Sequence, residues 1–151
     1  LMPTTSWGPQ TWNMIHTLSV SINENHIHFN TKIKELISHI YNICVNLPCP
    51  ACTTHATNYM KKHNPKNITD KVSLVEFFFN FHNDVNKNLK KPIFTIDKLN
   101  PTYCKNNIYQ VFNTFCNRYN ASSNNMTNYN NKKIVAKFYE WFYSNRDLFI
   151  N

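Results

Sequence analysis

The 151 residues carry 16 Lys and Arg against 8 Asp and Glu, a formal charge of +8, and are 42% hydrophobic. That suits one domain of ordinary size and argues against a two-domain enzyme. The single glycine, Gly8, excludes the glycine-rich loops of dinucleotide-binding and phosphate-loop motifs, because no other residue lets a backbone come so close to a phosphate. Scarce glycine turn signals also deprive hairpin-rich β folds of their connectors, while 15% aromatic residues supply bulk for helix packing, so the expected class is all-α.

No run approaches the roughly 20 apolar residues of a membrane span, so none is expected. The start Leu1-Met2-Pro3-Thr4 has neither a charged nor an apolar signal region, so no secretory signal is expected in this chain. The sequons at Asn67, Asn120 and Asn125 therefore carry little weight.

Ser6 is a candidate N-cap, and Trp12, Ile15, Leu18 and Ile22 recur at helical spacing, which predicts a first helix from about Trp7 to Ile22 with His16 one turn beyond Trp12. Ile33, Ile37, Ile40, Cys44 and Leu47 predict a second, ending at Pro48. A third spans about Pro50 to Lys62, with Pro50 at the first helical position, which leaves Cys49 at the helix N-terminus.

Ser73 followed by Glu76 reads as a capping box opening a fourth helix, whose core stripe is Leu74, Phe78, Phe81, Val85 and Leu89. Beside it run Val75, Phe79, His82 and Asn86, which puts a polar pair at the margin of an apolar face, where it needs a partner. Asn100-Pro101 starts a fifth helix that carries Tyr103, Ile108, Val111 and Phe115 to about Arg118. Residues 120–131 are nearly all Asn, Ser and Thr and read as a polar linker, after which Val135, Phe138, Phe142 and Phe149 predict a last helix over 132–150. The expected organisation is a main domain over 1–119, a linker over 120–131 and an additional C-terminal helix over 132–151, forming a small bundle with no internal repeat.

Cys49-Pro50-Ala51-Cys52 places two sulfurs on one helical face within disulfide reach, at a helix tip whose amides and dipole favour a thiolate. The pair can cycle between dithiol and disulfide with little backbone movement. A zinc site with His55 and Cys44 is the competing reading, although structural zinc usually takes a second ligand pair at defined spacing. Cys44 belongs to an apolar stripe and reads as a buried, inert thiol. In a continuous fifth helix Cys104 and Cys116 would stand about 18 Å apart, beyond the ~7 Å limit for a bridged pair.

Trp7-Gly8-Pro9-Gln10-Thr11-Trp12 with His16, Leu47-Pro48-Cys49-Pro50-Ala51-Cys52, and His82-Asn83-Asp84-Val85-Asn86 with Leu89 and Lys91-Pro92 together resemble the Erv/ALR family of FAD-linked sulfhydryl oxidases, over about Trp7 to Tyr103. Singly, Trp12 could be core, His16 and His82 ordinary hydrogen-bonded histidines, and Lys87 to Lys91 a solvated face; a core needs none of the three motifs together. Cys49 to Ala56, in the form Cys-x-x-Cys-x-x-His-Ala, looks most like the compact members encoded by large DNA viruses.

The resemblance implies a four-helix bundle with a short fifth helix, non-covalent FAD and a homodimer. It implies that a protein dithiol is oxidised by the Cys49–Cys52 disulfide and that electrons pass to FAD and then to dioxygen, giving hydrogen peroxide. Cys49 would be the outer, exchanging thiol and Cys52 the inner one, a charge-transfer thiolate against the isoalloxazine. Trp12, His16, His55 and Tyr59 would face the flavin, and His82, Asn83 and Asn86 would surround adenine and ribose. Lys91 would partner the pyrophosphate, Tyr103 would stand where many relatives stack a tryptophan on adenine, and Gly8, Val85 and Leu89 complete the expected cofactor contacts.

Many relatives join the fourth helix to the segment after Lys-Pro by a disulfide, but the matching positions here are Phe79 and Ile96. There is no second Cys-x-x-Cys to act as a shuttle. A viral member would act in the host cytoplasm, the virion or both. Two other classes remain as alternatives: a basic interaction module binding nucleic acid or an acidic partner through its +8 charge, and a small zinc module. Neither nucleic acid nor metal is the expected partner.

Overall fold

The computed structural model of the chain describes residues 2–122 and 126–149, with side chains for 7–122 and 130–149. It is helical throughout: α1 Met2–Ser21, α2 Phe29–Cys44, α3 Pro50–Lys62, α4 Lys71–Asn88, α5 Leu99–Tyr103, α6 Ile108–Ser122 and α7 Met126–Ser144. Among the described residues there is no strand, only an isolated antiparallel bridge between Ile22 and Phe149, where the Asn23 N–H meets the Leu148 carbonyl at 2.8 Å. That bridge returns the C-terminal segment to the end of α1.

α1 is the central rod, packed against α4, α5 and α6. From Met14 to Ile22 every residue is buried, as expected of a helix enclosed on all sides. Its small polar residues satisfy themselves locally: the Thr11 hydroxyl donates to the Trp7 carbonyl at 2.8 Å and the Ser19 hydroxyl to the Ile15 carbonyl at 2.7 Å. α2 buries Ile33, Leu36, Ile37, Ile40 and Ile43 and packs against α3 and α7. Phe112, Phe115, Phe138 and Phe142 of α6 and α7 are fully buried, each contributing roughly 1.5–3 kcal/mol through burial.

Several helix limits differ from the sequence-based expectation. α1 begins at Met2, ahead of Ser6, since Pro3 in its first turn lacks an N–H where none is needed. α2 stops at Cys44, not Pro48, because the chain turns so that both the N–H and the carbonyl of Leu47 meet the Thr53 hydroxyl, at 3.0 and 3.2 Å. α4 opens three residues early: Asp70 is the N-cap, with its carboxylate accepting the Ser73 N–H at 2.8 Å, so Ser73 is the third helical residue and not the cap.

The fifth helix expected from Asn100 to Arg118 is two helices. The Asn107 side chain accepts the N–H groups of Tyr109 and Gln110 at 3.0 and 3.1 Å and starts α6, while the Asn106 amide donates to Asn13 and Thr17 of α1, both at 3.0 Å. Cys104 is thus exposed at the end of α5, and Cys116 is buried on α6. The stretch 120–131 is helical at both ends, since α6 reaches Ser122 and α7 begins at Met126, with residues 123–125 outside the described residues. The last helix ends at Ser144 and is followed by a 3-10 turn over Arg146–Leu148; Ile150 lies outside the described residues.

Candidate functional site

α3 begins as expected, with Pro50 at the first helical position and Cys49 as its N-cap in an extended conformation. The Cys49 sulfur accepts the Cys52 N–H at 3.3 Å, so a thiol occupies the place of the usual capping oxygen. Both thiols are free. The Cys52 thiol is pushed up to about 12, first by burial, then by its hydrogen bond to Cys49 and the charge that Cys49 would carry. The helix tip therefore does not make Cys52 a ready thiolate: desolvation of the charged form outweighs the favourable backbone amide.

Cys52 opens onto a cavity of about 440 Å³ between α1, α3 and α4, within the usual size range of small-molecule sites. Of the residues singled out from sequence, Gly8, Trp12, His55, His82, Val85, Asn86, Leu89, Lys91 and Tyr103 line it together with Cys52. Gly8, having no side chain, presents bare backbone there. Trp7, Thr11, Ile15, Cys44, Leu47, Ala51, Ala56 and Phe81 are wall residues that sequence reasoning did not select. Ile15, Cys44, Leu47 and Phe81 read from their apolar periodicity as core, and only their position at the cavity edge sets them apart. Burial pushes the Cys44 thiol up to about 12, consistent with an inert wall residue.

Four selected residues stand outside the lining. Cys49 is at the tip of α3. Tyr59 stacks between His63 and Phe81, with centroids at 4.3 and 4.7 Å. Asn83 grips the segment after Pro92: its amide donates to the Phe94 carbonyl at 2.7 Å, and its oxygen accepts the Phe94 N–H at 2.9 Å. These two hydrogen bonds to the backbone fasten α4 to the segment after Pro92. His16 lies beneath the wall, its Nε2 2.8 Å from His82 Nδ1.

Lys91 reaches the cavity through the end of α4. Lys90 adopts φ 57°, the Lys90 N–H bonds to the Lys87 carbonyl at 3.2 Å, and the Lys91 N–H to the Asn86 carbonyl at 2.8 Å. These are the two bonds of a Schellman cap, normally built around glycine; in this chain a lysine takes the left-handed position. Across the cavity, His55 Nε2 meets Asp84 Oδ2 at 2.8 Å, pinning α3 to α4. Burial, with His82 as a second cause, depresses His16 to about 3, while burial and then Lys91 depress His82 to about 4. Among the described residues no three His, Cys, Asp or Glu side chains gather as a metal site.

The wall suits a flat, largely aromatic molecule with an anionic part. Trp12 and His82, stacked on each other with centroids at 4.0 Å, give the lining aromatic surface and Lys91 gives it a cation, and the indole N–H of Trp7, buried in that wall, has no partner among the described residues. A cysteine pair on a helix tip, with its inner sulfur in such a pocket, defines a helical thiol–disulfide redox protein with a cofactor site. The chain belongs to the Erv1 / Alr family, whose model matches residues 9–107.

The chain is 36% identical over 88 residues to an FAD-linked sulfhydryl oxidase of African swine fever virus, a match spanning 58% of this chain and 71% of the viral one. It is 36% identical over 94 residues to a protein of Invertebrate iridescent virus 6 named for the same activity, spanning 58% and 82%. The mitochondrial FAD-linked sulfhydryl oxidase of Schizosaccharomyces pombe is 31% identical over 88 residues, 58% of this chain and 47% of the yeast one. α6 and α7 lie beyond the family match.

Proposed function

We propose that in this FAD-linked sulfhydryl oxidase Cys49 exchanges with the dithiol of a protein substrate and Cys52 hands the electrons on. The observation that carries the reading is the division of the two sulfurs: Cys52 lines the cavity, and Cys49, one turn nearer the helix tip, does not. A substrate thiolate attacks the Cys49 sulfur of the enzyme disulfide and Cys52 leaves. The second substrate thiolate then attacks the mixed disulfide, which releases oxidised substrate and the Cys49–Cys52 dithiol. FAD, when bound, supplies a two-electron acceptor from which dioxygen takes the electrons to give hydrogen peroxide.

The chain's own residues hold that acceptor. Trp12, His55, Val85, Leu89 and Tyr103 give the apolar and aromatic faces, with Gly8 admitting close backbone approach. His82 and Asn86 meet the polar atoms of the nucleoside, and Lys91 meets the pyrophosphate. His16, Tyr59 and Asn83 meet His82, Phe81 and the segment at Phe94. Burial and the neighbouring Cys49 push the Cys52 thiol up to about 12, so electron loss from the reduced Cys52 is accompanied by loss of its proton.

A homodimer is the expected assembly, and the host cytoplasm, the virion or both are the expected location, given viral relatives. Replacing Cys49 by Ser tests the reading: turnover of a reduced protein substrate is lost while FAD stays bound. Full protein-dithiol activity in Cys49→Ser would overturn the assignment of the outer thiol.

A further inference from the structure

A second cavity, of about 810 Å³, opens between α2, the end of α3 and the loop that leads to α4, and it shares no lining residue with the one that Cys52 lines. Its floor is apolar: Ile37 of α2, Met60 of α3 and Ile68 of the loop are all buried. Its rim is cationic, with Lys34 of α2, Lys61 of α3 and Lys66 of the 3-10 turn Pro65–Asn67 exposed there. Among the described residues no carboxylate lines it, and none of these lysines forms an ion pair. The two acidic residues beside the lining in sequence are engaged elsewhere. Glu35 accepts the Trp141 indole N–H at 2.8 Å and Lys32 Nζ at 3.3 Å, and Asp70 accepts the Ser73 N–H at 2.8 Å as the α4 cap.

Three cations brought to one rim without a counter-charge repel one another, and a bound anion relieves that repulsion. An apolar floor under such a rim calls for a ligand with apolar groups below and negative charge above. An acidic peptide with interspersed apolar side chains has that form. A nucleic-acid strand is held by successive aromatic platforms, and this lining has one aromatic side chain, Tyr41. A second copy of this chain, itself at +8, brings mostly further cations. The groove is also aligned with the outer thiol. Met60 follows the N-cap Cys49 by eleven residues, close to three whole turns, so the two share one face of α3 about 16 Å apart along its axis. An extended chain covers that distance in about five residues at ~3.3 Å each.

We propose that this groove is a docking site for protein substrates: it takes an acidic segment with apolar side chains, about five or more residues from the substrate's cysteine pair, and so presents that pair to Cys49. The inference rests on the reading of Cys49 as the exchanging thiol. Lys34, Lys61 and Lys66 meet the carboxylates, and Ile37, Met60 and Ile68 receive the apolar side chains. Docking raises the local concentration of the dithiol at Cys49 and leaves the chemical step alone. It therefore lowers KM without changing kcat, and a small dithiol, which cannot reach the groove and the thiol together, gains nothing.

The test compares oxidation of two synthetic peptides by the FAD-loaded full chain. Both carry the same cysteine pair; one bears a segment of aspartate, glutamate and leucine about six extended residues away, the other the same segment with asparagine and glutamine for the acids. The acidic peptide should show a KM about tenfold lower at equal kcat, the order of three exposed ion pairs together, and the gap should close at about 0.5 M salt. Lys34→Ala/Lys61→Ala/Lys66→Ala should raise its KM to that of the neutral peptide and leave dithiothreitol oxidation unchanged. Removing equal charge from α7 by Lys132→Ala/Lys133→Ala/Lys137→Ala should leave both KM values alone. Should the groove triple variant fail to fold, Lys61→Glu alone should raise the acidic peptide's KM about threefold. Equal KM values for the two peptides, or a preference lost equally in both triple variants, overturn the proposal. So do tighter binding of a single-stranded oligonucleotide than of the acidic peptide at the groove lysines, and conversion of a dimer to a monomer by the groove substitutions. A chain that does not oxidise dithiothreitol, or a Cys49→Ser chain that still oxidises the peptides, defeats the reading of the catalytic pair, whereas an active chain blind to the acidic segment defeats only this inference.

Discussion

α1 is flanked by two regions of opposite chemistry. On the side of α3 and α4 it borders a cavity with Cys52, Lys91 and His82 in its lining, and with the orphaned nitrogens of Trp7 and His16 in and behind its wall. On the side of α6, and α7 behind it, sit fully buried rings, among them Phe112 against Phe142 at 4.2 Å and Phe112 against Phe138 at 4.9 Å. Unsatisfied polar groups and a cavity cost stability, and close-packed aromatic burial supplies it. The family match ends at residue 107, one residue before the aromatic block begins at Ile108. α6 and α7 thus lie beyond the family match and pack against α1 and α2.

Separating the two regions by mutation should give the largest effect on the aromatic side. Phe142→Ala should cost about 3–5 kcal/mol of stability, measured by denaturant unfolding, with FAD reduction by a dithiol unchanged in the molecules that remain folded. If it altered the flavin chemistry and left stability untouched, the division of labour would be wrong.

A second effect belongs to the cavity side and follows pH. His16 and His82 have folded pKa values of about 3 and about 4, below the ordinary 6.5, so in that window the unfolded chain binds protons that the folded chain does not. Stability from this pair is full above pH 6.5 and is lost as pH falls through 4 and then 3. Thermal melts should show this acid loss, and it should be reduced in His16→Met. An equal loss in the variant would remove the pair from the account.

The smallest effect concerns the α4 cap that delivers Lys91. Lys90→Gly should raise stability by about 1 kcal/mol by relieving the left-handed backbone, visible as a higher Tm. A lower Tm would show that the Lys90 side chain contributes more than its backbone strain costs.

What could be read from the sequence, and what could not, divides along similar lines. Pro50 after Cys49 located the N-terminus of α3 because its chemistry is local, and the motif residues Trp12, His82, Asn86 and Lys91 do come together at one cavity. α4 starts three residues before the point its sequence suggests, because Asp70 and Ser73 are both good caps and only the bond between them shows which one caps. The break after Tyr103 has no glycine or proline to announce it; its signal was Asn107, one asparagine among many. The stretch 120–131 reads as a polar linker because Asn, Ser and Thr favour caps and turns, yet Asn131 is buried on α7, where tertiary packing overrides propensity. His16, Tyr59 and Asn83, expected from the motifs to contact the cofactor, stand outside the cavity lining, a position that a motif alone does not specify.

The central claim is that electrons reach FAD through Cys52. Its most direct test is the visible absorption of the purified protein, recorded without oxygen before and after a dithiol is added. The account predicts a yellow protein whose flavin absorption bleaches on dithiol addition, and a Cys52→Ser protein that stays yellow under the same treatment. Equal bleaching in both, or a colourless protein, would contradict it.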